Sequence, residues 1–285
     1  MSTLTIRIAE HAGTCYGVER ALNMAHDAGS AAAETHDSVR TLGPLIHNPI
    51  VVSELANLGV SSVDSLDQIE SGTVIVRAHG VIPQVIEQAH ERDLTVKDAT
   101  CPYVKKVQMA AEKLARNGYQ VLVVGEAGHP EVEGIMGHAG SNAFVVNGPE
   151  ALDGIDLAPK VGVVVQTTQT VKNLGAVVER LLASVSELKV VNTICSATSE
   201  RQQAAEQLAS QVDVMVVIGG KNSGNTRRLA EICRSGCTRV HHIEQASELS
   251  VGDFAPNDTV GITAGASTPQ SHIDRVVETL TAMDI

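Results

Sequence analysis

A chain of 285 residues exceeds the usual size of a single core, so two or three lobes are expected. With 43% hydrophobic and 19% charged residues it has the composition of a folded α/β protein, not of a disordered chain. A formal charge of −12 opposes nucleic acid and anionic membranes as partners, and 2% aromatic residues with no tryptophan leave few platforms for stacking a nucleobase or a flavin.

The N-terminal segment lacks a basic stretch followed by a long apolar one, and no apolar run approaches the length of a membrane span. Five cysteines, an odd number, then read as thiols of a reducing compartment, and cytoplasm is the expected location. In chain order, Leu4–Ala9, Val74–Arg77, Gln120–Gly125, Val161–Gln166, Lys189–Asn192, Val212–Gly219 and Val260–Ala264 are β-rich, most reading as buried parallel strands. Helical patterns rich in Ala, Leu, Glu and Gln lie between them at Val104–Asn117, Leu174–Val185, Ser199–Ser210 and Thr226–Cys233. The alternation predicts an α/β fold with parallel sheets. The segments after the strands read AEHAGTC, RAHG, DATC, GEAGHPEVEG, QTT, NTIC, GGKNSGN and TAGAS. All are small, polar or reactive, and open parallel sheets bind ligands just beyond the carboxyl ends of their strands.

Three of these ends are alike. GTCYGVERA, ATCPYVKKV and TICSATSERQ each set a cysteine at a strand-to-helix junction, Cys15, Cys101 and Cys195, with separations of 86 and 94 residues. That is the footprint of a degenerate threefold repeat, and three similar lobes around an axis would converge the three thiols on a metal centre. A helix N-terminus favours thiolate, the form that binds metal. Zinc and an iron–sulfur cluster both accept three sulfurs, but none of the three cysteines has a C-x-x-C partner, which favours the cluster. A four-iron cubane on three cysteines leaves one iron open, as catalysis needs. Cys233 and Cys237 have no repeated context and read as incidental thiols.

His47 in GPLIHNP, His79 in RAHGV and His129 in GHPEVEG follow strands, where they suit phosphate oxygens. GGKNSGNTRRL is a glycine-rich turn entering a helix, able to hold phosphate with backbone amides, Ser223 and Asn225. It lacks the G-x-x-x-x-G-K-[ST] spacing, and no G-x-G-x-x-G occurs, so ATP and NAD are not indicated. Ser267 in TAGAS and Thr167 in QTT are weaker signals of the same kind. Glu131 falls in the first turn of a helix opened by Pro130, placed to deliver a proton beside such a site, with Glu133 as its competitor. An iron–sulfur hydro-lyase, which needs no reductant, and a redox-sensing binding module share the cysteine pattern, although no nucleic-acid motif accompanies it.

Taken together, GTCYGVERA, TLGPLIHNP, RAHGV, DATCPYVKKV, GHPEVEG, QTTQ, NTICSATSERQ, GGKNSGNTRRL and TAGASTP resemble the 4-hydroxy-3-methylbut-2-enyl diphosphate reductase family over nearly the whole chain. The resemblance implies three pseudo-equivalent α/β lobes around one central [4Fe–4S] cluster per chain: 16–101, 102–194, and 195–285 with the N-terminal strand 1–15. It implies Cys15, Cys101 and Cys195 as cluster ligands. His47, His79, His129, Ser223, Asn225 and Ser267 would hold the diphosphate, while Thr167 and Glu131 lie near the substrate hydroxyl with Glu131 as proton donor. The implied reaction is reductive dehydroxylation: the hydroxyl binds the open iron, ferredoxin or flavodoxin delivers two electrons, the allylic C–O bond breaks, and isopentenyl and dimethylallyl diphosphate form. Thr14 and Gly224 stand where many members carry Phe and Ser.

Overall fold

Short valine- and isoleucine-rich runs set the strands, because β-branched side chains pack well on a pleated surface. The computed structural model describes residues 4–284. It opens with β1 (Thr5–Ile8) and α1 (Tyr16–Thr35), followed by β2 (Val39–Leu42), α2 (Pro49–Asn57), β3 (Val60–Val63), β4 (Thr73–Val76), α3 (Pro83–Glu91) and β5 (Thr95–Asp98). Next come α4 (Pro102–Arg116), β6 (Gln120–Val124), α5 (Pro130–Ala139), β7 (Ala143–Val146), β8 (Lys160–Val165), α6 (Val171–Leu182) and β9 (Glu187–Val190). The chain closes with α7 (Ser196–Ala209), β10 (Val214–Ile218), α8 (Gly224–Gly236), β11 (Arg239–Ile243), β12 (Thr259–Ala264) and α9 (Gln270–Thr281). No helix among the described residues is long and apolar enough to cross a membrane.

The strands form three parallel four-stranded sheets, β3-β2-β4-β5, β7-β6-β8-β9 and β11-β10-β12-β1. One order is used three times. The first strand of each set lies second, the next strand flanks it on the outside, and the third lies on its other side. The fourth position belongs to β5, to β9 and, in the last sheet, to β1 from the opposite end of the chain, with Thr5 in register with Thr259.

By contacts the chain divides into two compact units. One comprises the described residues of Met1–Val18, His47–Ile50 and Ser196–Ile285 and carries the β1-containing sheet. Its central strands β10 and β12 are covered on one face by Ile243, Phe254, Ile273, Val276 and Leu280, while Leu208, Leu229, Ala230 and Cys233 pack with β10 on the other. The second unit, Glu19–Ile46 with Val51–Cys195, carries the other two sheets. There Val121 and Val123 pack with Val107, Leu114 and Ile135 from α4 and α5, whereas Leu122, Val124, Val163 and Val165 pack with Leu174, Val177 and Leu181 from α6.

Several expected bounds shift by up to three residues, among them the helices expected at Leu174–Val185 and Thr226–Cys233, which run Val171–Leu182 and Gly224–Gly236. The strand expected at Lys189–Asn192 runs Glu187–Val190, because the Asn192 side chain accepts the Ile194 N–H at 3.1 Å and turns the chain. The helix expected from Ser199 begins at Ser196, directly after Cys195. Residues 1–3 and 285 of the expected third lobe lie outside the described residues.

Candidate active site

Each fourth-position strand feeds a cysteine. Cys15 follows β1, Cys101 follows β5 and Cys195 follows β9, and each immediately precedes a helix, α1, α4 or α7. All three are half-buried and none of the five cysteines forms a disulfide. Their backbone amides are held the same way. Cys15 N–H donates to Ala266 O (3.2 Å), Cys101 N–H to Ala78 O (3.0 Å) and Cys195 N–H to Thr167 O (3.1 Å). Each acceptor lies two residues past the end of its sheet's third strand, β12, β4 or β8. A repeated hydrogen bond thus couples every cysteine junction to the loop after the neighbouring strand.

The junctions are also pinned by polar side chains. Arg201, 3% exposed, donates to Gly13 O at 2.8 Å beside Cys15. Arg20 donates to Asp98 O and Thr100 O at 3.2 and 3.3 Å ahead of Cys101. Thr193 accepts from Val165 N–H at 2.8 Å and donates to Val165 O at 2.5 Å ahead of Cys195. By contrast, Cys233 is fully buried, and burial chiefly, with Cys237 alongside, pushes its thiol up to about 12. It stays protonated and inert.

The loops after the first and third strands hold the remaining expected residues. In the second unit His129 caps α5: its Nδ1 accepts the Glu131 N–H at 3.1 Å, which leaves Nε2 to carry the proton of the neutral ring. The His79 and His129 rings meet edge to face with centroids 5.6 Å apart. Glu131, on the inner face of α5, is 2% exposed. Thr167 reaches both its oxygens, the backbone N–H to Oε1 at 2.7 Å and the hydroxyl to Oε2 at 2.9 Å. Burial raises its pKa to about 7, outweighing these two bonds, which favour the carboxylate. Glu133, the expected competitor, is exposed.

In the other unit Ser223 caps α8, accepting the Thr226 N–H at 3.3 Å, and is 4% exposed. Asn225, also 4% exposed, has neither its carbonyl oxygen nor its amide nitrogen bonded among the described residues. An unsatisfied buried carboxamide costs roughly 1–3 kcal/mol, so it marks a place where a polar ligand restores the bonds. Ser267 is half-buried in the loop after β12. Its carbonyl accepts from Asn48 Nδ2 at 2.8 Å, which ties that loop to the half-buried His47. Gly220 permits the approach of the His47 carbonyl, since a Cβ there would come within 2.5 Å of that oxygen.

Buried polar residues that sequence reasoning did not single out include Asn48, Gln166 and Gln108, at 4%, 1% and 6% exposure. Gln166 fixes the loop before His129 by accepting the Glu126 N–H at 3.0 Å. Asn48 stands inside GPLIHNP and Gln166 is the first residue of QTT, so their neighbourhood was the available signal.

Comparison with known proteins gives a consistent family. The family model described as LytB protein matches residues 6–281. A 4-hydroxy-3-methylbut-2-enyl diphosphate reductase of Trichlorobacter lovleyi is 48% identical, covering 97% of this chain and 98% of that one. Its namesake in Pelobacter propionicus is 47% identical over 96% of both chains. Among solved structures, an (E)-4-hydroxy-3-methyl-but-2-enyl diphosphate reductase, described as the terminal enzyme of the non-mevalonate pathway, is 44% identical with a TM-score of 0.72, covering 99% of this chain and 100% of that one. A Plasmodium falciparum E-1-hydroxy-2-methyl-but-2-enyl-4-diphosphate reductase has a TM-score of 0.91 at 24% identity, covering 97% of this chain and 87% of that one, and shares the fold. Matched over nearly its full length by the family model and by relatives of this identity, the chain belongs to the LytB protein family.

Proposed function

We propose that the chain reduces (E)-4-hydroxy-3-methylbut-2-enyl diphosphate to isopentenyl and dimethylallyl diphosphate, the last step of the methylerythritol phosphate route to isoprenoids. Two electrons and two protons enter, and water leaves. The relatives' names support the substrate, and the observation in this chain that carries the chemistry is Glu131, a buried carboxyl whose pKa is raised to about 7. A general acid works best near ambient pH, and this one is positioned by two bonds from one threonine.

The donor set fits an iron–sulfur cluster: three half-buried thiols recur at one topological position, while the two thiols outside that pattern are buried in a core. Cys15, Cys101 and Cys195 would hold one [4Fe–4S] cluster, which when bound supplies electrons and an open Lewis-acidic iron to the substrate hydroxyl. His47, His79, His129, Ser223, Asn225 and Ser267 bind the diphosphate, converting its binding energy into orientation of the hydroxyl. Thr167 orients Glu131, and Glu131 passes its proton to the departing oxygen. We also propose the division into lobes 16–101, 102–194 and 195–285 with 1–15, supported by the repeated strand order, and a cytoplasmic enzyme served by ferredoxin or flavodoxin.

The test is iron and acid-labile sulfide per chain on anaerobically purified wild type and Cys101→Ser, followed by turnover with a low-potential donor. About four irons and four sulfides, lost in the variant, with turnover that requires the reductant, is the expected result. Zinc without sulfide, or turnover without reductant, overturns the proposal.

A further inference from the structure

A cleft of about 310 Å³ opens in the second unit, lined on the α5 side by Pro130, Glu133 and Gly134 but not by Glu131. Arg77 lies half-buried in it; its Nε is buried and has no hydrogen-bond partner among the described residues. Desolvation holds the Arg77 pKa below its ordinary value, and the Glu133 charge acts against that. The guanidinium nevertheless stays protonated, so a desolvated cation with unused donors remains. Gly43, at φ 71°, faces it so closely that a Cβ there would come within 2.5 Å of Nη1. The walls are apolar, from Leu42, Ile82 and Val85. The two carboxylates of the lining, Asp64 and Glu133, are solvent-exposed.

We propose that this cleft is a second ligand site, which binds a small monocarboxylate with a branched aliphatic body. The planar Arg77 fork matches a carboxylate in two parallel bonds, and the apolar walls receive the branched end. Asp64 and Glu133 repel polyanions, which separates this ligand from a diphosphate. Arg77 precedes His79 by two residues and Glu133 follows Glu131 by two, so the cleft is built on the same two segments as the candidate active site while presenting different side chains. The site rests on the geometry of one unit and is independent of the proposed reaction.

Calorimetric titration of the anaerobically isolated protein with 3-methylbutanoate, and with the neutral 3-methylbutanamide as control, tests it. The carboxylate is expected to bind with a Kd on the order of 1 mM, as suits so small a ligand. The amide should bind at least about tenfold more weakly, and Arg77→Gln should weaken carboxylate binding by a similar factor. Glu133→Gln, an exposed change that leaves the fold intact, should tighten it about two- to threefold by removing a like charge. Equal binding of amide and carboxylate overturns the proposal, as does unchanged binding in Arg77→Gln or absence of binding in wild type. If Arg77→Gln does not fold, unchanged or weaker binding in Glu133→Gln overturns it alone.

Discussion

The three cysteine junctions and the three segments after the first strands of the sheets are built in opposite senses. At the junctions the same element recurs: a cysteine one residue ahead of a helix, its amide bonded to the carbonyl two residues past the third strand. After β2, β6 and β10 the loops differ, offering His47 with Asn48, His129 with Glu131, and Ser223 with Asn225. A symmetric ligand such as a cluster calls for like groups from each repeat, whereas an asymmetric substrate with a charged head at one end and a hydroxyl at the other calls for unlike ones. Only one of these loops carries a buried carboxyl with a pKa near neutrality.

The largest effect should come from breaking the symmetric part. Cys15→Ser, Cys101→Ser and Cys195→Ser should each lose cluster iron and all measurable turnover, and equal behaviour of the three would sharpen the repeat. Next, Glu131→Gln should keep the cluster and lower kcat by about 10²–10⁴-fold, the usual contribution of a positioned proton donor. Wild-type kcat/KM should fall above about pH 7 as Glu131 loses its proton, and that limb should vanish from the residual activity of the variant.

The same group gives a stability signature. Its folded pKa lies above the unfolded value, so the folded state binds the proton more tightly, and its stabilisation is full below about pH 4.5 and lost as pH rises to about 7. Glu131→Gln, measured by denaturant titration, should gain roughly 3 kcal/mol relative to wild type between pH 4 and pH 8. Asn225→Ala should raise KM about tenfold while leaving iron content alone, the size expected for lost charge-assisted hydrogen bonds. The smallest functional effect is expected at the thiols outside the repeat. Cys233→Ala should cost about 1 kcal/mol of stability, read from its denaturation midpoint, without changing iron or turnover.

What was legible in the sequence follows from burial. Strands β6, β8 and β10 are buried on both faces, so VLVV, VGVVV and VMVVI are continuous apolar runs that announce themselves. β3 (VSSV) and β5 (TVKD) lie at sheet edges, half-exposed and four residues long, and mixed composition hides such strands. The cysteine positions were legible because three strings repeat. Asn48, Gln108 and Gln166 were not, because their importance lies in which distant backbone or cavity they meet, such as Asn48 with Ser267 across 219 residues. The pKa of Glu131 was likewise a question of burial, which its first-turn position alone does not fix.

The strand β1 that completes the last sheet is the first to be synthesised, yet its partner β12 lies 254 residues later. At about 5–20 residues per second, roughly 13–50 s separate the emergence of the two strands from a ribosome. Throughout that interval the segment bearing Cys15 has no sheet to join, while β5 and β9, which precede Cys101 and Cys195, pair with β4 and β8 made shortly before them. The newly made protein therefore passes through a stage in which the Cys15 thiol waits for β12 before its junction can form.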